Sequence, residues 1–232
     1  DAEAHLNTTV QSILIENSDV VTNETELDAA ITAGNTSIII GYSADLTGKD
    51  MSSFTGGVTL NNFDGTTSIT LTLTPAQIDA LSVSSGSDDS VIVQIQNAAD
   101  RVDTLLDFSD ADTIDLNGET GVSLDVSQAN LIIIASGGSY EVIDTPANLT
   151  GEVGTFTDAT SVIVELTADT DLSSITFDNG VTDIDLAGFD ASITVAQASL
   201  SVTLTGGSLV VKDTASSLKT DADTNGGAGT AI

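Results

Sequence analysis

"SGGSYEVIDTPANL" occupies Ser136 to Leu149 and "TGGSLVVKDTASSL" occupies Thr205 to Leu218: two glycines, a serine, a short apolar run and Asp-Thr, written twice. Gly137-Gly138 and Gly206-Gly207 suit a tight turn. Val142 and Val210 fall in extended runs, and Asp144-Thr145 and Asp213-Thr214 open the next turn. An aspartate there can bind a backbone N–H two residues on. The phrase reads as one coil of a repeated β-structure.

Three diverged copies appear on working outward. The first contains "TSIIIGYSADLTG" and "SITLTLTPAQ", the second "TIDLNGETG" and "VSLDVSQ", the third "TSVIVELTADTDLSS" and "SITVAQ". Marker glutamines Gln77, Gln128 and Gln197 each follow an alternating strand, at spacings of 51 (128 − 77) and 69 (197 − 128). Ile69, Leu71 and Leu73, or Ile184 and Leu186, alternate with polar neighbours, the period of a strand with one buried face. Helical spacing stands out only in "NETELDAAITAG", where Leu27, Ala30 and Ile31 share a face, Asn23 or Thr22 can cap the start, and Gly34 can end it. Such a helix would cover one end of a β-stack. Stacking lets each diverged coil bury its aliphatic face against the next.

"TNETELDAAITAGNTSIIIGYSADLTG" resembles the opening of right-handed parallel β-helix (pectin-lyase-like) domains, and "TADTDLSSITFDNGVTDIDLAG" resembles their later coils. The two Asp-Thr phrases are similar to repeats of large secreted bacterial surface proteins, RTX-type adhesins and surface-layer proteins among them. The G-G-x-G-x-D nonapeptide of RTX repeats is absent. The expectation is an all-β fold, a right-handed parallel β-helix (β-solenoid) with a short N-terminal capping helix; the alternative is tandem small β-sandwich domains. The organisation expected is an N-terminal arm over 1–21, the capping helix over 22–35, a β-solenoid over 36–218 in repeats of about 36–102, 103–149 and 150–218, and an acidic Gly-rich tail over 219–232.

Composition narrows the function. Thirty-five Asp and Glu against 4 Lys and Arg give a net charge of −31, which repels the phosphates of nucleic acid. Apolar residues at 40% supply a core, whereas aromatics are 3% and cysteine is absent, so thiolate metal sites and disulfides are unavailable. The longest apolar runs, such as "LIIIA" at Leu131 to Ala135, fall far short of the roughly 20 residues that span a membrane. A start at "DAEAHLNTTV", with no signal-like segment, fits a trimmed or mature terminus.

Oxygen ligands are the remaining metal chemistry. Asp221-Ala-Asp223-Thr-Asn225-Gly begins like a calcium loop, but Ile232 stands where the bidentate Glu belongs. Asp110, Asp112 and Asp115, then Asp169 and Asp171, and then Asp88 and Asp89 are further acidic clusters. Carboxylates stacked on neighbouring strands would repel one another, so bound calcium or a saline habitat would offset the repulsion. Catalysis is poorly supplied. His5 is the lone histidine and Arg101 the lone arginine; Asp110 with Asp112, or Asp183 with Asp185, could serve as a glycosidase pair, but Tyr42 and Tyr140 are the only tyrosines and there is no Trp to hold a sugar. Sequons stand at Asn7, Asn23, Asn35 and Asn148. The functional expectation is a non-enzymatic, secreted or cell-surface structural protein that self-assembles into a homo-oligomeric sheet or filament stabilised by calcium. Behind it rank a monomeric adhesin domain that binds a ligand such as cell-surface glycan, and then a β-helix polysaccharide lyase or glycosidase.

Overall fold

Alternating stretches are extended in the computed structural model, which describes residues 19–61, 63, 67–98, 108–150, 156–177 and 180–225. One compact unit comprises the described parts of Asp1–Asn97, Leu105–Glu119 and Leu131–Gly137; a second comprises those of Ala98–Thr104, Thr120–Asn130 and Gly138–Ile232. Strands are numbered along the chain.

In the first unit, β1 (Asp19–Val21), β2 (Ser37–Ile40), β4 (Gly57–Leu60) and β6 (Val83–Ser84) form one sheet in that order. A second sheet runs β10 (Ile132–Ile134), β8 (Thr113–Asp115), β7 (Ser90–Gln94), β5 (Thr70–Leu73), β3 (Ala44–Asp45). In the second unit, one sheet has the order β16 (Ser201–Thr203), β14 (Asp183–Asp185), β12 (Val162–Glu165), β11 (Ser139–Asp144), β9 (Thr120–Leu124), and the other joins β13 (Thr170–Asp171), β15 (Ala191–Ile193) and β17 (Leu209–Val211). All pairings are parallel: Ser37 meets Gly57 and Ile163 meets Asp183, each twenty residues on (57 − 37 and 183 − 163). Parallel neighbours need a crossover of this order, whereas antiparallel ones can be joined by a hairpin.

Both fold expectations are corrected. The chain is not an all-β solenoid: among the described residues four separate parallel sheets are interleaved with helix, 21% of those residues against 32% in strands, an α/β-like mixture. The tandem β-sandwich fails because sandwiches are antiparallel and every strand pairing among the described residues is parallel. A helix reading confined to one place was also too narrow. Besides α1 (Glu24–Ala33) there are α2 (Pro75–Ala80), α3 (Val126–Ala129), α4 (Pro146–Leu149), α5 (Ala215–Asn225) and 3-10 turns at Leu172–Ser174 and Gln197–Ser199. Most are one or two turns long, too short for a 3.6-residue period to register; their end chemistry defines them instead.

Helix α1 is capped as its sequence implies. Asn23 Oδ1 accepts the Glu26 N–H at 3.1 Å, Gly34 closes the helix at φ +71°, and Leu27 and Ala30 are buried where the helix meets β1. Segment 219–232, expected as a tail, is helical as far as Asn225. Residues 1–18, most of the expected arm, lie outside the described residues, as do His5, Asn7 and Arg101.

The cores follow the pleat. Ile38, Ile40, Val58, Leu71, Leu73, Val91, Val93 and Ile114 are at most 1% exposed in the first unit. Val122, Leu124, Val142, Val164, Ile184, Leu186 and Ile193 are wholly buried in the second. Each such side chain contributes about 1.5–3 kcal/mol on leaving water.

Candidate functional site

Two groups of aspartates account for most of the acidity that a functional reading would exploit. The first closes turns: Asp45, Asp50, Asp115, Asp171 and Asp185 each accept the N–H two residues on, from Thr47, Ser52, Asn117, Ser173 and Ala187, at 2.9–3.1 Å. The second ties one turn of chain to another. Asp89 accepts the Ile69 N–H at 2.9 Å, Asp110 that of Val83 at 3.0 Å and Asp112 that of Val91 at 2.8 Å. Asp169 accepts from Asp190 N–H at 2.9 Å, and Asp190 in turn from Ser208 N–H at 2.7 Å.

The duplicated phrase belongs to this second group. Asp144 accepts the Val126 N–H at 3.0 Å and the Thr145 N–H at 2.6 Å; Asp213 accepts the Val195 N–H at 3.1 Å and the Thr214 N–H at 2.6 Å. These acceptors reach one residue forward and eighteen back, not two residues forward. The phrase is repeated because the same tie is made twice. Replacing Asp144 with Ala strands the N–H of buried Val126 and also frees the Asn148 amide, which donates to Asp144 at 2.8 Å. We expect a loss of about 1–3 kcal/mol in urea unfolding, with Asp144→Asn milder because an amide oxygen still accepts.

The marker glutamines hold the short helical turns. Thr74 and Gln77 at α2, Asp125 and Gln128 at α3, and Thr194 and Gln197 at the 3-10 turn make the same reciprocal pair: the first side chain accepts the glutamine N–H, and the glutamine Oε1 accepts the first residue's N–H. Gln77 Nε2 also donates to the Leu46 and Lys49 carbonyls at 2.7 and 3.0 Å, and Gln197 Nε2 to the Leu172 and Ile175 carbonyls at 2.9 and 3.0 Å. A cleft adjoins each of these two glutamines. The one at Gln77, about 520 Å³, includes Thr47, Lys49 and Asp50; the one at Gln197, about 460 Å³, is lined by Ser173, Phe177, Val181 and Leu200 and has no titratable side chain. Lys49 is held by Asp28 at 2.7 Å and Glu24 at 2.9 Å, bonds that raise its pKa. Neither cleft brings two carboxylates together.

The predicted metal ligands are dispersed. Asp110, Asp112 and Asp115 bind three different partners, as above; Ser136 Oγ also donates to Asp115 at 3.0 Å. Asp169 serves Asp190, whereas Asp171 binds Ser173 and Lys212, the latter at 3.0 Å. Asp221, Asp223 and Asn225 lie along α5, not in a loop, and Lys219 pairs with Asp223. Among the described residues no group of three acidic, histidine or cysteine side chains could hold a metal ion. Nor are carboxylates stacked in general: Asp45 opposes Thr72, Asp115 opposes Gln94 and Asp171 opposes Ser192, leaving Glu165 opposite Asp185 as the directly opposed acidic pair in the described registers.

Asp183 and Asp185 flank buried Ile184 on β14, where Thr182 Oγ1 donates to Asp183 and the Ala187 N–H to Asp185. Tyr140 is buried, which pushes its phenol pKa up and withdraws its ring from any sugar.

The bound aspartates set an acid limit. The Ser173 hydroxyl, then Lys212 and the Ser173 N–H, lower the pKa of Asp171 to about 2, and the Thr214 N–H foremost lowers that of Asp213. A carboxylate depressed below its unfolded value of 3.8 stabilises the fold above that pH and loses its contribution as pH falls toward about 2. The thermal midpoint should therefore drop across that interval. Asp171→Asn should flatten part of the drop in paired melts, a difference that cancels the relief of general charge repulsion on acidification.

No protein family, curated protein or solved structure matches the chain. No helix among the described residues is long and apolar enough to cross a membrane.

Proposed function

We propose that the protein is a non-catalytic structural component, a secreted or cell-surface building block that self-assembles into a layer or filament. The observation that supports this reading is the use of its polar groups: carboxylates that could have formed an acid–base pair or an ion cage instead accept backbone N–H groups from adjoining turns. Chemistry spent on rigidity suits a scaffold. Calcium acts in this proposal between copies, lowering the repulsion of subunits that each carry −31.

Particle size should be followed by light scattering and electron microscopy with calcium added and then chelated. Large assemblies that dissolve on chelation are the expected result. Assemblies indifferent to chelation but promoted by sodium chloride would replace calcium with general screening. A monomer under every condition would overturn self-assembly and favour the ligand-binding adhesin.

A further inference from the structure

Successive layers of the second unit bury inward side chains until the last. Ile184, Leu186 and Ile193 are wholly buried and Ala191 is 4% exposed. Their partners one layer on are Val202 opposite Ile184, Leu209 opposite Ala191 and Val211 opposite Ile193, with Leu204 one residue past the Asp185–Thr203 pair, in line with Leu186. Val202, Leu209 and Val211 are only half-buried, and Leu204 is 51% exposed. Strands β16 and β17 are the outermost of their sheets, and among the described residues no strand lies beyond them. The outer edges therefore offer backbone hydrogen-bonding groups beside an uncovered apolar layer, the condition that invites pairing with another chain.

Charge decides the occupant. From Ala191 to Thr220 the charged residues are Lys212, Asp213 and Lys219, a net of +1 in a chain of −31. Lys212 is neutralised by Asp171 and Lys219 by Asp223. Two copies repel across most of their surface but meet no such barrier here, whereas a basic partner would be drawn to the acidic surface elsewhere. We propose that this layer of Val202, Leu204, Leu209 and Val211 is the contact through which a second copy of the chain docks, the same face of both copies meeting about a two-fold axis. The proposal rests on the self-assembly reading and names its first contact.

The test is sedimentation of the 232-residue chain over a concentration series with calcium present, with amide hydrogen exchange on the same samples. The wild type should associate, with amides of 201–204 and 209–211 gaining protection as concentration rises. Leu204→Asp, at a half-exposed position, should keep its circular dichroism and melting midpoint yet associate about tenfold or more weakly, the effect of removing one buried leucine. Thr55→Asp, at an exposed position of the first unit, should associate like the wild type, as a control for the added charge. If Leu204→Asp associates as the wild type does, the contact is elsewhere and the docking proposal falls while self-assembly stands. A monomer with these amides already protected would show that other parts of the chain cover the layer; a monomer with them unprotected would show that nothing docks there. Both monomeric outcomes overturn the proposal and the self-assembly reading together.

Discussion

Gln197→Glu is expected to remove about 3–5 kcal/mol from the stability of the second unit, although it changes one atom in size and shape. Gln197 is 8% exposed, and its Nε2 donates to the Leu172 and Ile175 carbonyls at 2.9 and 3.0 Å. A carboxylate can still accept the Thr194 N–H through one oxygen, but the other would face two carbonyl oxygens. The Leu172 carbonyl keeps the Ile175 N–H at 2.9 Å, whereas the Ile175 carbonyl loses the amide; a buried carbonyl left without a donor costs about 1–3 kcal/mol, and the charge adds its desolvation. Gln197→Ala strands the Ile175 carbonyl without adding the charge and should cost about 1–3 kcal/mol. Urea unfolding at neutral pH gives the comparison. Acidification should shrink the deficit of the Glu variant, because a protonated carboxyl regains one donor; equal stability of Gln197→Glu and wild type would show that the amide does not carry this turn.

Gly57→Ala is expected to cost about 2–4 kcal/mol. Gly57 begins β4 at φ +94°, and an added Cβ would sit 2.6 Å from the Ser82 carbonyl oxygen, which accepts the Val58 N–H at 2.9 Å. The methyl group thus meets a backbone oxygen committed to the ladder between β4 and β6. Gly34→Ala separates the two effects. That glycine also has positive φ, +71°, but has nothing within 4 Å of an added Cβ, so only the conformational part, about 1 kcal/mol, should appear. Thermal melts of both variants test the difference; equal losses would assign the whole effect at Gly57 to backbone conformation.

Extended elements and the first helix were readable because their signals are local. Val91, Val93 and Ile95 alternate with polar residues and are buried; Asn23 and Gly34 cap a helix that needs no distant partner to specify its ends. The short helical turns were not readable from periodicity, although their capping pairs were present in "TPAQ" and "DVSQ". The glutamines stood out as markers of a repeat, but the second function of Gln77 and Gln197, donating to carbonyls of a preceding turn, lies 22 to 31 residues away in sequence.

The candidate metal residues show the same division. Asp110 and Asp112 are adjacent enough in sequence to look like one site, yet they serve Val83 and Val91 separately. A carboxylate's chemistry is the same whether its donor is a metal ion or a peptide N–H, and only the neighbouring chain determines which is within 3 Å. By itself, then, the sequence determined the strands, the capped helix and the heavily acidic charge, each a consequence of residue chemistry over a few positions. The tertiary structure alone decided how the strands divide among four parallel sheets, which N–H each aspartate satisfies and which apolar layer stays uncovered, because these depend on pairings between residues about twenty positions apart.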